Sequence, residues 1–527
     1  MNSESLLEPV VAFTIYLSLM VVMAVYFYNK TKSQSDFVLG GRKLGSFVTA
    51  LSANASDFSG WLLLGLPGAI YASGFGEAWI AVGLACGSLG SWVLLAPRLR
   101  VYTHRVTDFL TGGESNSLTL SSFLENRFAD RSRLLRAVSA IIIIVFYFFY
   151  VASGMTAMMA LFDQVFGLGP VPAVLIGLGF VVAYTVIGGF LAVSVTDTVQ
   201  AVLMWIALLF VPIVAVGAIG GLGEVRDGVA AGSESLLSAF GGASLNADTG
   251  TWEPTGALGW VVIVSGLAWA FGYFGQPHIL ARYMGIRSVK QIPVAATVSV
   301  TWAVTAMAMA VLVGYVGIAY FEAPLSDPEQ VFPALITALM NPWVAGFLMA
   351  AILAAVMSTA DSQLLVASSA ITEDGYRAFV DKHASPTRLM WLSRVTVVVV
   401  AVIAALVALF GDQSVMDLVG YAWAGFGAGF GPVLLMSVFW RRMTWAGALA
   451  GMVAGASMAV VWDIFDEHVL GLGLYAMIPA VALSFLCIVV FNPLGKVTEQ
   501  MATDFDAMKH EIRTGEPPVR EEPSAGA

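Results

Sequence analysis

Charge is scarce in this sequence. Asp, Glu, Lys and Arg make up 11% of its 527 residues, where soluble domains carry about 25%. Cysteine occurs twice and histidine five times. Two cysteines make no disulfide framework, and Cys86 and Cys487 are expected as packing residues inside apolar helices. Five histidines without ligand spacing argue against a metal centre built on them. No Gly-x-x-x-x-Gly-Lys-Ser/Thr run occurs, which argues against ATP-driven transport within the chain. No basic nucleic-acid patch appears, and no constellation supports covalent enzyme chemistry.

What is abundant is apolar surface. Hydrophobic residues make up 58% of the sequence, concentrated in runs of about 20 residues, the length that crosses ~30 Å of hydrocarbon. Thirteen spans are expected, at 6–28, 46–72, 77–97, 137–162, 171–189, 192–220, 257–283, 293–321, 342–371, 389–411, 417–438, 445–462 and 474–492. With the N-terminus outside, every Lys and Arg except Arg226 falls on the inner side. The positive-inside rule therefore selects an outer N-terminus and a cytoplasmic C-terminus. The first span has no basic leader and no small-residue cleavage site, so it reads as a retained helix. Net charge is −10, with acidic residues gathered in the outer loops and the tail, which suits solubility or a salty habitat better than attraction of cations. The Gly-, Ser- and Ala-rich stretch 221–256 reads as a mobile outer loop. The pattern Ser121–Phe128 suggests a short surface helix, and the tail should fray beyond about Thr514.

Two spans are interrupted, five helices apart. One break reads Ala53-Asn54-Ala55-Ser56-Asp57-Phe58-Ser59-Gly60-Trp61. The other reads Trp269-Ala270-Phe271-Gly272-Tyr273-Phe274-Gly275-Gln276-Pro277. Irregular backbone at membrane depth is tolerated only against protein or a cavity. A matched pair of interrupted spans points to a transporter's binding site. In the ninth span Ala355, Ser358 and Thr359 share one helical face. Two hydroxyls beside carbonyls freed by a broken helix would suit a monovalent cation, although Ser and Thr also serve as glue between helices. Asp57 is costly at membrane depth, by roughly 2.5–3.5 kcal/mol, so it must be paired, solvated or needed. Asp197 reads either as a helix-start charge favoured by the dipole or as a functional carboxylate. Asp361, one turn past the hydroxyl pair, reads either as a packing partner or as a functional group. Trp61, Tyr150, Trp269 and Tyr273 could wall a pocket for a small zwitterion, an aromatic face meeting its ammonium.

Several runs carry a family resemblance: Leu39-Gly40-Gly41-Arg42, Thr49 through Ala53, Asp57 through Gly68, Ile187 through Ala192, Gly272 through Arg282, Ala354 through Thr359, and Tyr421 through Gly427. From about Asp36 to Gly495 the chain resembles the sodium/solute symporters, and among them the proline carriers. The resemblance implies an all-α membrane protein with the leucine-transporter fold, two inverted five-helix repeats and flanking helices. The implied division is 1–45 (first helix and loop), 46–220 and 257–438 (the repeats), 221–256 (outer loop), 439–492 (two flanking helices) and 493–527 (tail). It implies Na+ as coupling ion, held at Ala55, Phe58, Ala355, Ser358 and Thr359, with Asp57 close by and critical to coupling. It implies an L-proline site shaped by Ser59, Gly65, Tyr150, Trp269, Tyr273 and Pro277, with Arg42 and Asp197 in coupling. Phe58 stands where such carriers have methionine. Asp361 stands where they have a small hydroxyl residue, which leaves an extra cation or proton site open. The function implied is sodium-coupled import of L-proline across a bacterial or archaeal inner membrane, with no nucleic acid and no obligate protein partner. The alternatives are the same machine with pantothenate, a betaine or an organic acid as cargo, a non-transporting solute sensor, or a channel.

Overall fold

The computed structural model describes residues 7–28, 34–105, 116–246 and 249–516. Its membrane elements are α1 (Leu7–Tyr28), α2 (Ser46–Asp57), α3 (Leu66–Ser73), α4 (Phe75–Arg105), α6 (Leu134–Phe166), α7 (Pro170–Ala183), α8 (Gly189–Ile219), α10 (Trp260–Ala268), α11 (Pro277–Gly285), α12 (Ile292–Tyr320), α14 (Pro342–Ser369), α15 (Pro386–Phe410), α16 (Val415–Phe439), α17 (Trp445–Phe465) and α18 (Met477–Phe491). Between and after them lie α5 (Leu120–Arg127), α9 (Leu222–Gly232), a hairpin of β1 (Gly241–Asn246) and β2 (Thr251–Ala257), α13 (Val331–Leu339) and α19 (Glu499–Thr514). Among the described residues ten helices are long and apolar enough to cross a membrane. Shorter apolar helices stand at Trp61–Ser73, Pro170–Ala183 and Trp260–Phe274, inside the three remaining expected spans. α14 runs through the centre against α8, α6 and α1, and nearly all of its residues are buried. On the outside, Val398, Val399, Val402, Leu406 and Phe410 of α15 are exposed. Such an apolar surface fits lipid and not water.

The interruptions are built from local chemistry. α2 ends at Phe58, whose ψ of 85° leaves the helical region. A wide π turn, Trp61–Gly65, then leads into α3, which starts with a proline in its first turn. α10 tightens into a 3₁₀ stretch, Trp269–Phe274. Gln276 is extended, and α11 restarts on Pro277, whose missing N–H costs nothing at that position. Glycine is required at Gly272, because an added Cβ would lie 1.8 Å from Trp423 Nε1. α7 and α8 form one helical run that turns at Gly189, with φ 67° and ψ 176°, a conformation open in practice only to glycine.

Three expectations change. Cys86 is exposed and Cys487 half-exposed on the bundle's outer surface, so neither fills the core; a thiol is apolar enough for that surface. The 221–256 stretch holds α9, with Val225 and Val229 buried, and the antiparallel hairpin. Two buried valines and strand pairing order it despite its small residues. The tail forms α19, which buries Met501, Phe505 and Met508. Its amphipathic spacing was hidden by a polar composition. α19 ends on Thr514 with Gly515 left-handed behind it; the fraying expected beyond about Thr514 falls almost wholly outside the described residues. The helix expected near Ser121–Phe128 is α5, started by a capping box of Thr119 and Ser122, but it is not a surface helix: every residue of it except Asn126 is buried.

Candidate functional site

The two interruptions meet directly through a side-chain hydrogen bond, and the first also packs on α14. Where α2 ends, the Ser59 N–H turns back to the Asp57 carbonyl, 3.0 Å away. That N–H would otherwise bond the Ala55 carbonyl, which is thereby freed. The hydroxyl of Ser358 donates to Ala55 O at 2.7 Å, and that of Thr359 donates to the same oxygen at 3.1 Å. Ser358 also reaches Ala355 O, 3.0 Å away. Four of the five residues expected at an ion site therefore meet at one point. Phe58 is buried beside them, but its ring packs on Trp61 and Trp302, with centroids 5.4 and 5.2 Å away. Only its backbone carbonyl is of a kind to bind an ion. Two carbonyls and two hydroxyls, all buried oxygens, form the hard donor set a small monovalent cation accepts.

Asp57 sits beside this cluster. Its Oδ2 accepts a 2.5 Å hydrogen bond from the Tyr273 hydroxyl. The other oxygen, buried, has no hydrogen-bond partner among the described residues. This bond ties the first interruption to the second. In the 3₁₀ segment Trp269–Phe274 residues repeat every three, so Trp269 and Tyr273 do not stand one directly above the other. Both rings meet Trp423 of α16 instead, Trp269 stacked at 6.2 Å and Tyr273 edge-on at 5.3 Å. Trp423 Nε1 donates to Trp269 O at 2.8 Å, and Tyr475 also stacks on the Trp269 ring, at 5.2 Å. Tyr150, buried on α6, lies edge-on to His278 at 5.7 Å. Among the described residues the Tyr150 hydroxyl, Gln276 Oε1 and His278 Nε2 are buried without hydrogen-bond partners. Ser59 Oγ accepts from the Trp61 N–H at 3.4 Å, Pro277 opens α11, and Gly65 faces Met416. Aromatic faces and orphaned polar atoms thus collect around the broken backbone.

The remaining expected residues form two other groups. Asp197, buried, pairs with the equally buried Arg282 at 3.0 Å. This ion pair replaces the helix-dipole reading of Asp197. Ser52 donates to Asp197 at 2.6 Å, and Arg282 donates to Ser52, to Ser362 and to the His278 carbonyl. Ser362 in turn donates to Asp361 Oδ1 at 3.2 Å, while Asp361 Oδ2 has no partner. Arg282 therefore joins α11, α8, α2 and α14. Arg42 lies apart, on the face that carries most of the arginines. It donates to Asn116, to the Thr103 side chain and carbonyl, and to the carbonyls of Met284 and Ser117. Opposite, on the acidic face, Glu329 accepts from the first N–H groups of α16, those of Val415 and Met416, at 3.2 and 3.1 Å.

Sequence reasoning missed Trp423, Arg282, Ser52 and Glu329 as members of these groups. Arg282 carried a signal: an arginine in an apolar half-helix demands a buried partner. Trp423 stood inside a run already singled out. Ser52 stood inside another such run, Thr49 through Ala53, and Glu329 carried none.

Comparison with known proteins decides the family. The model of the sodium:solute symporter family matches residues 37–455. The chain belongs to the sodium:solute symporter family. It is 47% identical over 493 residues to an Escherichia coli (strain K12) protein named sodium/proline symporter, covering 92% of this chain and 93% of that one. It is 44% identical to the high-affinity proline transporter PutP of Bacillus subtilis (strain 168), covering 92% and 98%. Among solved structures, a Na+-coupled sialic acid symporter superposes with a TM-score of 0.75 at 19% identity, covering 93% of this chain and 99% of that one. MhsT, solved with L-phenylalanine, gives 0.51 at 13% identity, covering 85% and 97%. The symporter has the leucine-transporter fold that the resemblance implied, and it is a multi-pass protein of the plasma membrane.

Proposed function

We propose that this symporter imports L-proline with Na+ by alternating access between the two membrane faces. The observation that carries the reading is the seam itself. One carbonyl of the first interruption receives both hydroxyls of α14, and the next turn is bonded to the second interruption through Asp57 and Tyr273. An ion held by Ala55, Ala355, Ser358, Thr359 and the Phe58 carbonyl would fix the end of α2. That would fix Asp57, and through it Tyr273 and the aromatic wall. Proline offers what the wall accepts: a compact apolar ring and an ammonium for Tyr273, Trp269 or Tyr150. Ser59, Gly65 and Pro277 supply the irregular backbone around it. The names of the curated relatives support proline over pantothenate, a betaine or an organic acid. The basic face is the cytoplasmic one by the positive-inside rule, so the N-terminus is outside. The two repeats span 46–220 and 257–438. A membrane potential of ~100 mV supplies about 2.3 kcal/mol per charge, enough for roughly 50-fold accumulation before any sodium gradient.

Uptake of radiolabelled proline into proteoliposomes, with and without an inward sodium gradient, tests this. Uptake should need sodium, and unlabelled proline should compete far better than pantothenate or glycine betaine. Sodium-driven uptake of one of those, with proline failing to compete, would overturn the cargo. Arg42, Asp197 and Asp361 are assigned to coupling. Asp361 adds a second carboxylate to the Arg282 group, so the charge moved per proline should change in Asp361→Ser. An unchanged ratio at every external pH removes Asp361 from coupling.

A further inference from the structure

A small internal cavity of about 30 Å³ lies on the basic-face side of the seam. Pro277 and Ala281 of α11 line it, as do Ile143, Ser369, Thr119 and Asp374. It thus touches both the substrate region and a cluster of charged groups at the face. About one water fits such a volume, so proline cannot pass through it as it stands. The cluster is a closed set of bonds between three elements. Arg136, at the start of α6, donates to Glu125 Oε2 of α5 at 2.7 Å and to Asp374 Oδ1 beyond α14 at 3.0 Å. Thr119, the N-cap of α5, donates to the same Asp374 oxygen at 2.8 Å. Arg133 pairs with Glu125 and bonds the Ala378 carbonyl. Glu125 and Asp374 are buried, which makes such charge-assisted bonds strong and their unpaired forms costly.

We infer that the Arg136–Glu125–Asp374–Thr119 cluster is the inner gate, the latch that must part before cargo leaves through this cavity into the cytoplasm. The inference rests on alternating access but not on proline as cargo. α5 is the moving part, since both of its latch groups, Thr119 and Glu125, bond to other elements through side chains alone. With the latch closed, the exit is sealed; with Arg136 withdrawn, α5 swings away and Ser369 becomes wettable from the cytoplasm.

The test reads access rather than transport. Ser369→Cys is placed in a chain carrying Cys86→Ala and Cys487→Ala. Inverted membrane vesicles then expose the basic face to a membrane-impermeant maleimide, with sodium present and no proline. Labelling should be slow with the latch intact. Arg136→Gln and Asp374→Asn should each speed it about tenfold or more, and Arg136→Lys should fall between. Because the two variants disturb opposite ends of the latch, misfolding of one leaves the other as the test. Unchanged labelling in a folded Arg136→Gln or Asp374→Asn chain overturns the gate. Failure of proline to be transported, with these rates as expected, overturns the cargo and leaves the gate standing.

Discussion

Single side chains set how the seam responds to ions and protons. Thr359 donates to a carbonyl of another helix, whereas the Thr396 hydroxyl on α15 bonds only its own helix, at Leu392 O. Thr359→Ala should therefore raise the sodium concentration for half-maximal uptake about tenfold or more, and Thr396→Ala should leave it near wild type. Equal effects would remove the hydroxyl from the ion site. Glu329 carries a pH dependence. Burial pushes its carboxyl up to about 7, against the pull of the Met416 and Val415 N–H groups, and the facing Asp327 and Asp417 add to the rise. The protonated form suits the buried site better, so this group's contribution to folding stability is present at low pH and lost as pH rises through about 7. The carboxylate form holds the α16 N-terminus, and that hold weakens as pH falls through the same window. Glu329→Gln is neutral throughout. Its uptake should stay flat between about pH 6 and 8, where wild type changes, and should match the acid limb of wild type. A variant that keeps the full pH profile would place the titration elsewhere.

At the scale of elements, the interruptions were legible because helix breakers at membrane depth have few explanations. The pairing of Ser358 with Thr359 was legible from helical spacing. How the second interruption meets its neighbour was not: Trp269–Phe274 is 3₁₀, a geometry that its residue types do not announce. Trp423 comes from a span far away in sequence, as does Asp197, the partner of Arg282, and no local pattern encodes such contacts. Even so, the glycines carried a readable trace of close approach. At Gly272 a methyl group would collide with Trp423, and at Gly275 with the Phe426 carbonyl at 2.2 Å. Gly272→Ala should push the 3₁₀ segment off α16, costing about 1–3 kcal/mol or more as overpacking. A lower unfolding midpoint together with weakened proline binding is the expected result. A normal midpoint would mean that α16 yields at little cost.

For the whole molecule, composition alone placed the chain in a membrane, and hydropathy located its spans; the exposed apolar side chains of α15 and α1 agree. Tertiary order beyond the spans was less legible, since α9, the hairpin and α19 are short and partly polar. α19 matters more than its position at the chain's end suggests. Phe505 of α19 lies 5.7 Å from the Arg127 guanidinium at the end of α5, with Tyr102 and Phe128 also within 5.2 Å of it. The start of α5 is Thr119, bonded to Asp374. Eight residues make a rod of about 12 Å, too short to bend. α5 is thus a strut with the tail at one end and the exit cavity at the other. Ending the chain at Gly495 should free that strut: Ser369→Cys should label faster from the cytoplasmic face while uptake still requires sodium. Equal labelling would show that α5 holds its place without α19. A signal read by the tail, whatever its origin, would reach the exit without passing through the ion or substrate sites, so release could be tuned while affinity stays fixed.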